Sequence, residues 1–179
     1  MNGTREIKNG KNSESHPDIF TTFKHCYKII FFKDKGLLTA YLNPLHTFNL
    51  ISIFFIMLLI PYKSPFKEAI FDFGVYIETI LLTLFFVMLL YLFLPKQKLK
   101  FAGFLRVMCA AEIIDIFNII SFFLPESFLI YFTAIMIGWY FTIIIFVINR
   151  LTGLSRAVGL IYVLWIFFLV NLIPAIFQG

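Results

Sequence analysis

The chain has 179 residues, 60% hydrophobic and 20% aromatic, with 15 Lys+Arg against 10 Asp+Glu and a formal net charge of +5. Soluble domains hold about 45–50% apolar and about 25% charged residues, so a soluble core of this size cannot hide these apolar side chains behind so few polar ones. Disorder is excluded too, because it requires low hydrophobicity and high net charge. The class that remains is an all-α integral membrane protein.

Residues 1–17 form a polar N-terminal tail. The first long apolar run starts near residue 45, too late for the hydrophobic region of a cleaved leader. Residues 18–43 carry Phe20, Phe23, Tyr27, Ile30 and Phe31 at helical spacing, with Lys24, Lys28 and Lys35 along one edge. Two placements suit such a basic amphipathic segment. It lies in the headgroup plane with its lysines near anionic phosphates, or it packs on the cytoplasmic ends of the bundle. Gly36 and then Asn43-Pro44 mark its end.

Residues 44–179 are predicted as a five-helix transmembrane domain, since a bilayer core needs about 20 apolar residues per helix. The spans fall at 45–62, 70–94, 102–124, 128–148 and 158–177, and Pro61, Pro95 and Pro125 close the first three. Barrel strands would alternate apolar and polar residues, which these runs do not. Charge placement sets the orientation. Arg5, Lys8, Lys11, Lys24, Lys28, Lys33, Lys35, Lys96, Lys98, Lys100, Arg106, Arg150 and Arg156 fall on one side, and only Lys63 and Lys67 on the other. The positive-inside rule therefore predicts a cytoplasmic N-terminus and a C-terminus outside or in the lumen.

An ionised residue at mid-span costs about 2.5–3.5 kcal/mol, so each one is weighed individually. The third span holds Arg106, Glu112 and Asp115, with Asn118 a turn further on. At about 100° per residue, Arg106, Cys109, Glu112, Asp115 and Asn118 trace a slanted stripe around a helix. Arg106 is expected to snorkel to the cytoplasmic headgroups. Glu112 lies ~15 Å in, near the midplane. Two carboxyls three residues apart in hydrocarbon either share a proton or hold a cation between them. The functional reading is a proton or cation site. The structural alternative is a hydrogen-bonded cluster of acids, hydroxyls and backbone. Glu78, in the second span, reaches a comparable depth and is predicted to face Glu112 or Asp115 or an aqueous dip; Asp72 is interfacial.

Enzyme patterns are missing: the chain has no HExxH, Glu-x-x-His, GxSxG or Gly-rich phosphate loop. His16, His25 and His46 read as interfacial polar residues, and Ser121, Tyr131, Trp139 and Tyr140 as packing or interface anchors. Cys26 and Cys109 imply no disulfide. No catalytic residue, cofactor, metal site or nucleic-acid partner is expected. No internal repeat is visible, so an inverted-repeat transporter would need a partner chain.

The run KFAGFLRVMCAA at residues 100–111 and TGLSRA at 152–157, with Asn43-Pro44 ahead of the first span, resemble the Yip-type five-span domain over roughly residues 40–179. The resemblance implies a cytosolic N-terminus, five helices and an exposed C-terminus. In eukaryotic members it implies vesicle trafficking through small GTPases, but this chain lacks the longer acidic, Pro/Tyr-containing region of those members. Its short polar tail is closer to the bacterial branch, which implies a bacterial inner membrane. Nothing in the family identifies Glu112 or Asp115 as catalytic. Two functions follow. One is a non-enzymatic Yip-type protein that organises membrane or binds lipid or protein partners. Its basic cytoplasmic face would comprise Lys96, Lys98, Lys100, Arg106, Arg150 and Arg156, joined by Lys24 and Lys28. The other is a small oligomeric transporter or channel subunit with Glu112, Asp115 and Glu78 as an intramembrane proton or cation site.

Overall fold

The computed structural model describes residues 16–63, 73–95 and 99–177, so Asp72, Lys96 and Lys98 lie outside the described residues. Among the described residues the fold is all-helical: α1 (Ile19–Ile30), α2 (Asp34–Leu42), a short 3₁₀ turn (Pro44–His46), α3 (Thr47–Leu58), α4 (Phe73–Phe93), α5 (Phe101–Ala111), a 3₁₀ segment (Glu112–Phe123), α6 (Glu126–Thr152) and α7 (Arg156–Phe177). Two helices are long and apolar enough to cross a membrane on their own, within Tyr76–Phe93 and Glu126–Thr152. A third crossing is counted if the pair Asp34–Leu42 and Pro44–Leu58, bent by 87°, is one broken span. Large apolar side chains such as Leu81, Ile135, Ile161 and Phe168 are 60% or more exposed, an outer surface suited to lipid.

The predicted N-terminal amphipathic segment is two helices. Asp18 starts α1 by accepting a bond from the Thr21 backbone N–H at 2.6 Å, and this bond holds its carboxyl below the usual range. The helix stops where Phe32 adopts φ +57, with Phe32 N–H bonded to Ile29 C=O and Lys33 N–H to Lys28 C=O. That is a left-handed helix stop with phenylalanine where glycine is usual. Phe32 is held there by its ring, which packs edge-on against Phe146 with centroids 5.6 Å apart. The apolar face of α1 is spent on protein: Cys26, Ile29 and Ile30 are fully buried, and burial pushes the Cys26 thiol up to about 12. Gly36 of α2 lies so close to α1 that a Cβ there would stand 2.6 Å from the His25 carbonyl oxygen. The hairpin therefore closes backbone to backbone.

Residue types explain the other boundaries. The Asn43 side chain accepts from Leu45 N–H, and Pro44 opens the turn into α3. Gly153 takes φ +76 to end α6, and Ser155 Oγ accepts from Val158 N–H at 3.3 Å to start α7. The Gly-Leu-Ser stretch is thus a helix stop followed by a helix start. One buried cluster joins all seven helices, with Ile29, Leu50, Leu90, Phe104, Ile113, Ile143 and Val163 each at most 1% exposed.

The third predicted span is not one α-helix. It runs as α5 to Ala111 and then winds as 3₁₀ for 12 residues from Glu112. A 3₁₀ helix has about three residues per turn, so residues three apart eclipse. The expected slanted stripe therefore straightens from Glu112 onward into one column: Glu112, Asp115, Asn118, Ser121.

Candidate functional site: a polar column in a five-walled cavity

All four residues of the column line a cavity of 480 Å³, whose other walls come from the end of α3 and from α4, α6 and α7. Glu112 is 6% exposed, and its Oε1 accepts a 2.5 Å hydrogen bond from the Tyr140 hydroxyl of α6. Asp115 Oδ1 accepts from the Asn118 side-chain amide at 3.0 Å. Further along the column, Ser121 Oγ accepts from the Lys63 backbone N–H at 2.8 Å, tying the chain after α3 to it. Lys63 also lines the cavity, and its Nζ lies 3.7 Å from Glu126. The cavity thus extends to the bundle end that carries Lys63 and Glu126.

The remaining walls are mixed. Thr79 and Thr83 from α4 and Asn171 from α7 add polar groups, while Phe132, Phe141 and Phe167 contribute aromatic surface. Two acids with no cationic side chain paired to them among the described residues make the cavity electronegative. It can attract a proton or a cation. No group of three or more His, Cys, Asp or Glu able to hold a metal occurs among the described residues.

The structure brings Glu112 and Asp115 to one wall but leaves Glu78 off it; α4 faces the cavity with Tyr76, Thr79 and Thr83 instead. Tyr140, expected as a packing anchor, is a partner of the buried acid. Only its placement 28 residues away on another helix reveals that role.

The predicted basic face is divided. Arg106 turns inward rather than to headgroups. Its Nε donates to Ala40 C=O at 2.9 Å and its Nη2 to Tyr41 C=O, so it caps the last turn of α2. Arg150 pairs with Asp34 at 2.9 Å and its guanidinium lies over the Phe146 ring. Lys24, Lys100 and Arg156 are exposed and Lys28 is partly buried. The histidines form an unexpected cluster. The His25 and His46 rings meet edge-on with centroids 5.6 Å apart, His46 Nδ1 lies 2.8 Å from Thr22 Oγ1, and the Asn49 amide donates to that same oxygen. The His25 Nδ1 is buried without a hydrogen-bond partner. Burial, then nearby Lys28, His46, Lys35 and Lys24, hold the His25 pKa below its ordinary value.

Compared with known protein families, curated proteins and solved structures, the chain matches none.

Proposed function

We propose that the chain is a five-span membrane protein, N-terminus cytoplasmic and C-terminus outside or lumenal, that carries a proton or cation on Glu112 and Asp115 as a small transporter or channel-type subunit. The observation that carries this reading is the shared wall: the two acids of the third span line one cavity with Tyr140 and Asn118. Helix lengths suit crossings by the third and fifth predicted spans. The 11 residues of α5 and the 12 of the 3₁₀ segment together extend about 40 Å at about 1.5 and 2.0 Å per residue, more than a hydrocarbon core of about 30 Å. The 22 residues of α7 extend about 33 Å. Charge supports the orientation. Lys100, Arg150 and Arg156 flank helix ends opposite to those flanked by Lys63 and Glu126.

The test is flux in proteoliposomes. Glu112→Gln and Asp115→Asn are expected to abolish proton- or cation-dependent flux while the protein remains folded. Unchanged flux and ion binding in both variants refutes the reading. A reporter fused to the C-terminus and active only in the cytoplasm is expected to be silent; activity overturns the five-span topology.

A second reading, the Yip-type membrane organiser, is favoured by one feature. On α1, Phe20 (81% exposed), Lys24 and Tyr27 remain outside the bundle, an aromatic and basic surface suited to anionic headgroups. Neutralising Lys24 and Lys28 is then expected to weaken association with anionic vesicles. Equal association before and after removes that reading.

A further inference from the structure

We infer that the cavity takes an organic monocation: a compact amine or quaternary ammonium head seated at Glu112 and Asp115, with its apolar body against the aromatic wall. The inference rests on the reading of this cavity as a cation site and names the class of cation.

Three observations select that class. The first is size. A cavity of 480 Å³ falls within the about 300–1,000 Å³ of small-molecule pockets and far exceeds what a bare metal ion fills. The second is donor chemistry. A hard cation such as Na⁺ or Ca²⁺ takes about six or more oxygens at close range. Here each acid is already engaged on one oxygen, by Tyr140 and by Asn118, and no group of three or more His, Cys, Asp or Glu able to hold a metal lies among the described residues. One carboxyl oxygen of each acid is left without a hydrogen bond from a described side chain, enough to receive an ammonium head. The third is the aromatic lining. Phe132, Phe141 and Phe167 line the same space, and aromatic faces attract organic cations whose charge is spread and weakly hydrated.

Charge compensation points the same way. Glu112 is 6% exposed, and no cationic side chain among the described residues pairs with it or with Asp115. The nearest cavity-lining cation, Lys63, is paired with Glu126 and tied by its backbone to Ser121. An acid pair of this kind without an internal counter-charge takes up a proton or a cation from outside the chain. A monocation with an apolar body supplies the charge and covers the apolar walls at once.

The experiment uses the full chain in nanodiscs and measures binding of benzyltrimethylammonium by calorimetry, beside N,N-dimethylbenzamide, a neutral molecule of similar size. The quaternary cation is expected to bind saturably, and the amide at least about tenfold more weakly. Glu112→Gln and Asp115→Asn are each expected to weaken the cation by about tenfold or more and to leave the amide unchanged. Excess sodium chloride is expected not to displace the cation beyond a non-specific salt effect. Equal affinity for cation and amide overturns the inference, and that comparison needs no variant to fold. So does sodium displacing the cation one for one. If carboxyl-dependent proton or sodium flux is present but the organic cation does not bind, the site stands and the ligand class falls. If neither flux nor binding depends on the acids, both fall.

Discussion

Placing a cysteine at each position from 112 to 123 and timing its reaction with a charged, membrane-impermeant thiol reagent reads the winding of this segment. Glu112 and Ser121 are nine residues apart. At about 100° per residue they would finish about 180° apart, on opposite faces. At about 120° per residue they return to one face, and the rise between them is about 18 Å rather than about 13.5 Å. Both line the cavity, as do Asp115 and Asn118, whereas Ile119 and Ile120 are 45% and 44% exposed on the outside. Reaction is therefore expected to peak at 115, 118 and 121. Positions 119 and 120 should be slower by about tenfold or more, because hydrocarbon suppresses the thiolate that reacts. The background is quiet, since Cys26 and Cys109 are both buried and the Cys26 thiol is pushed up to about 12. An α-helical segment would instead give fast positions at 115 or 116, 119, and 122 or 123, with 121 slow. That pattern refutes the single polar column and the idea that one face of this segment supplies the cavity's polar wall.

Gly36→Ala sets a Cβ 2.6 Å from the His25 carbonyl oxygen and 2.7 Å from Lys28 Cβ. Overpacking of about 1–3 kcal/mol outweighs a helix-propensity gain of about 1 kcal/mol, so the thermal midpoint in nanodiscs falls; an unchanged midpoint denies the tight α1–α2 crossing. Arg106→Lys loses the two-carbonyl fork and costs about 1–2 kcal/mol by the same assay, whereas a surface arginine would tolerate the change. Because burial lowers the His25 pKa, the folded chain favours the neutral ring and binds fewer protons than the unfolded chain just below the ordinary value of 6.5. Stability is then complete above that value and declines as pH falls through it. His25→Gln should flatten the decline in a pH series of thermal midpoints, and an identical slope in the variant excludes His25 as the cause.

The sequence makes legible what depends on residue type and local spacing. Asn43-Pro44, Gly153 and Ser155 announce their boundaries because capping chemistry is local, and the third predicted span, 102–124, matches helical residues 101–123 within one residue at each end. The acids of the cavity are legible because a charged residue in an apolar run is conspicuous. The winding of their segment is not. A polar residue every third position suits a drifting stripe on an α-helix and a straight column on a 3₁₀ helix equally well, and packing decides between them. Tertiary direction is hidden for the same reason. Glu78 is on α4 but not among the residues that line the cavity, Tyr140 finds Glu112 across 28 residues, and Arg106 reaches back across 65 residues to Tyr41.

A purely structural polar cluster would not need acids at these positions. Gln at 112 still presents a carbonyl oxygen to the Tyr140 hydroxyl, and Asn at 115 still presents one to the Asn118 amide, so each observed hydrogen bond has a neutral equivalent. What the acids add is charge, and charge at mid-span costs about 2.5–3.5 kcal/mol for each ionised group. Removing a cost the fold does not require should stabilise the ligand-free chain. Glu112→Gln with Asp115→Asn is therefore expected to raise the thermal midpoint in nanodiscs while eliminating cation binding, the trade of function for stability seen where a site is strained for its task. The opposite result identifies the acids as structural: a double variant destabilised by more than about 2 kcal/mol, with its hydrogen-bond partners intact, has lost more than neutral hydrogen bonding supplies.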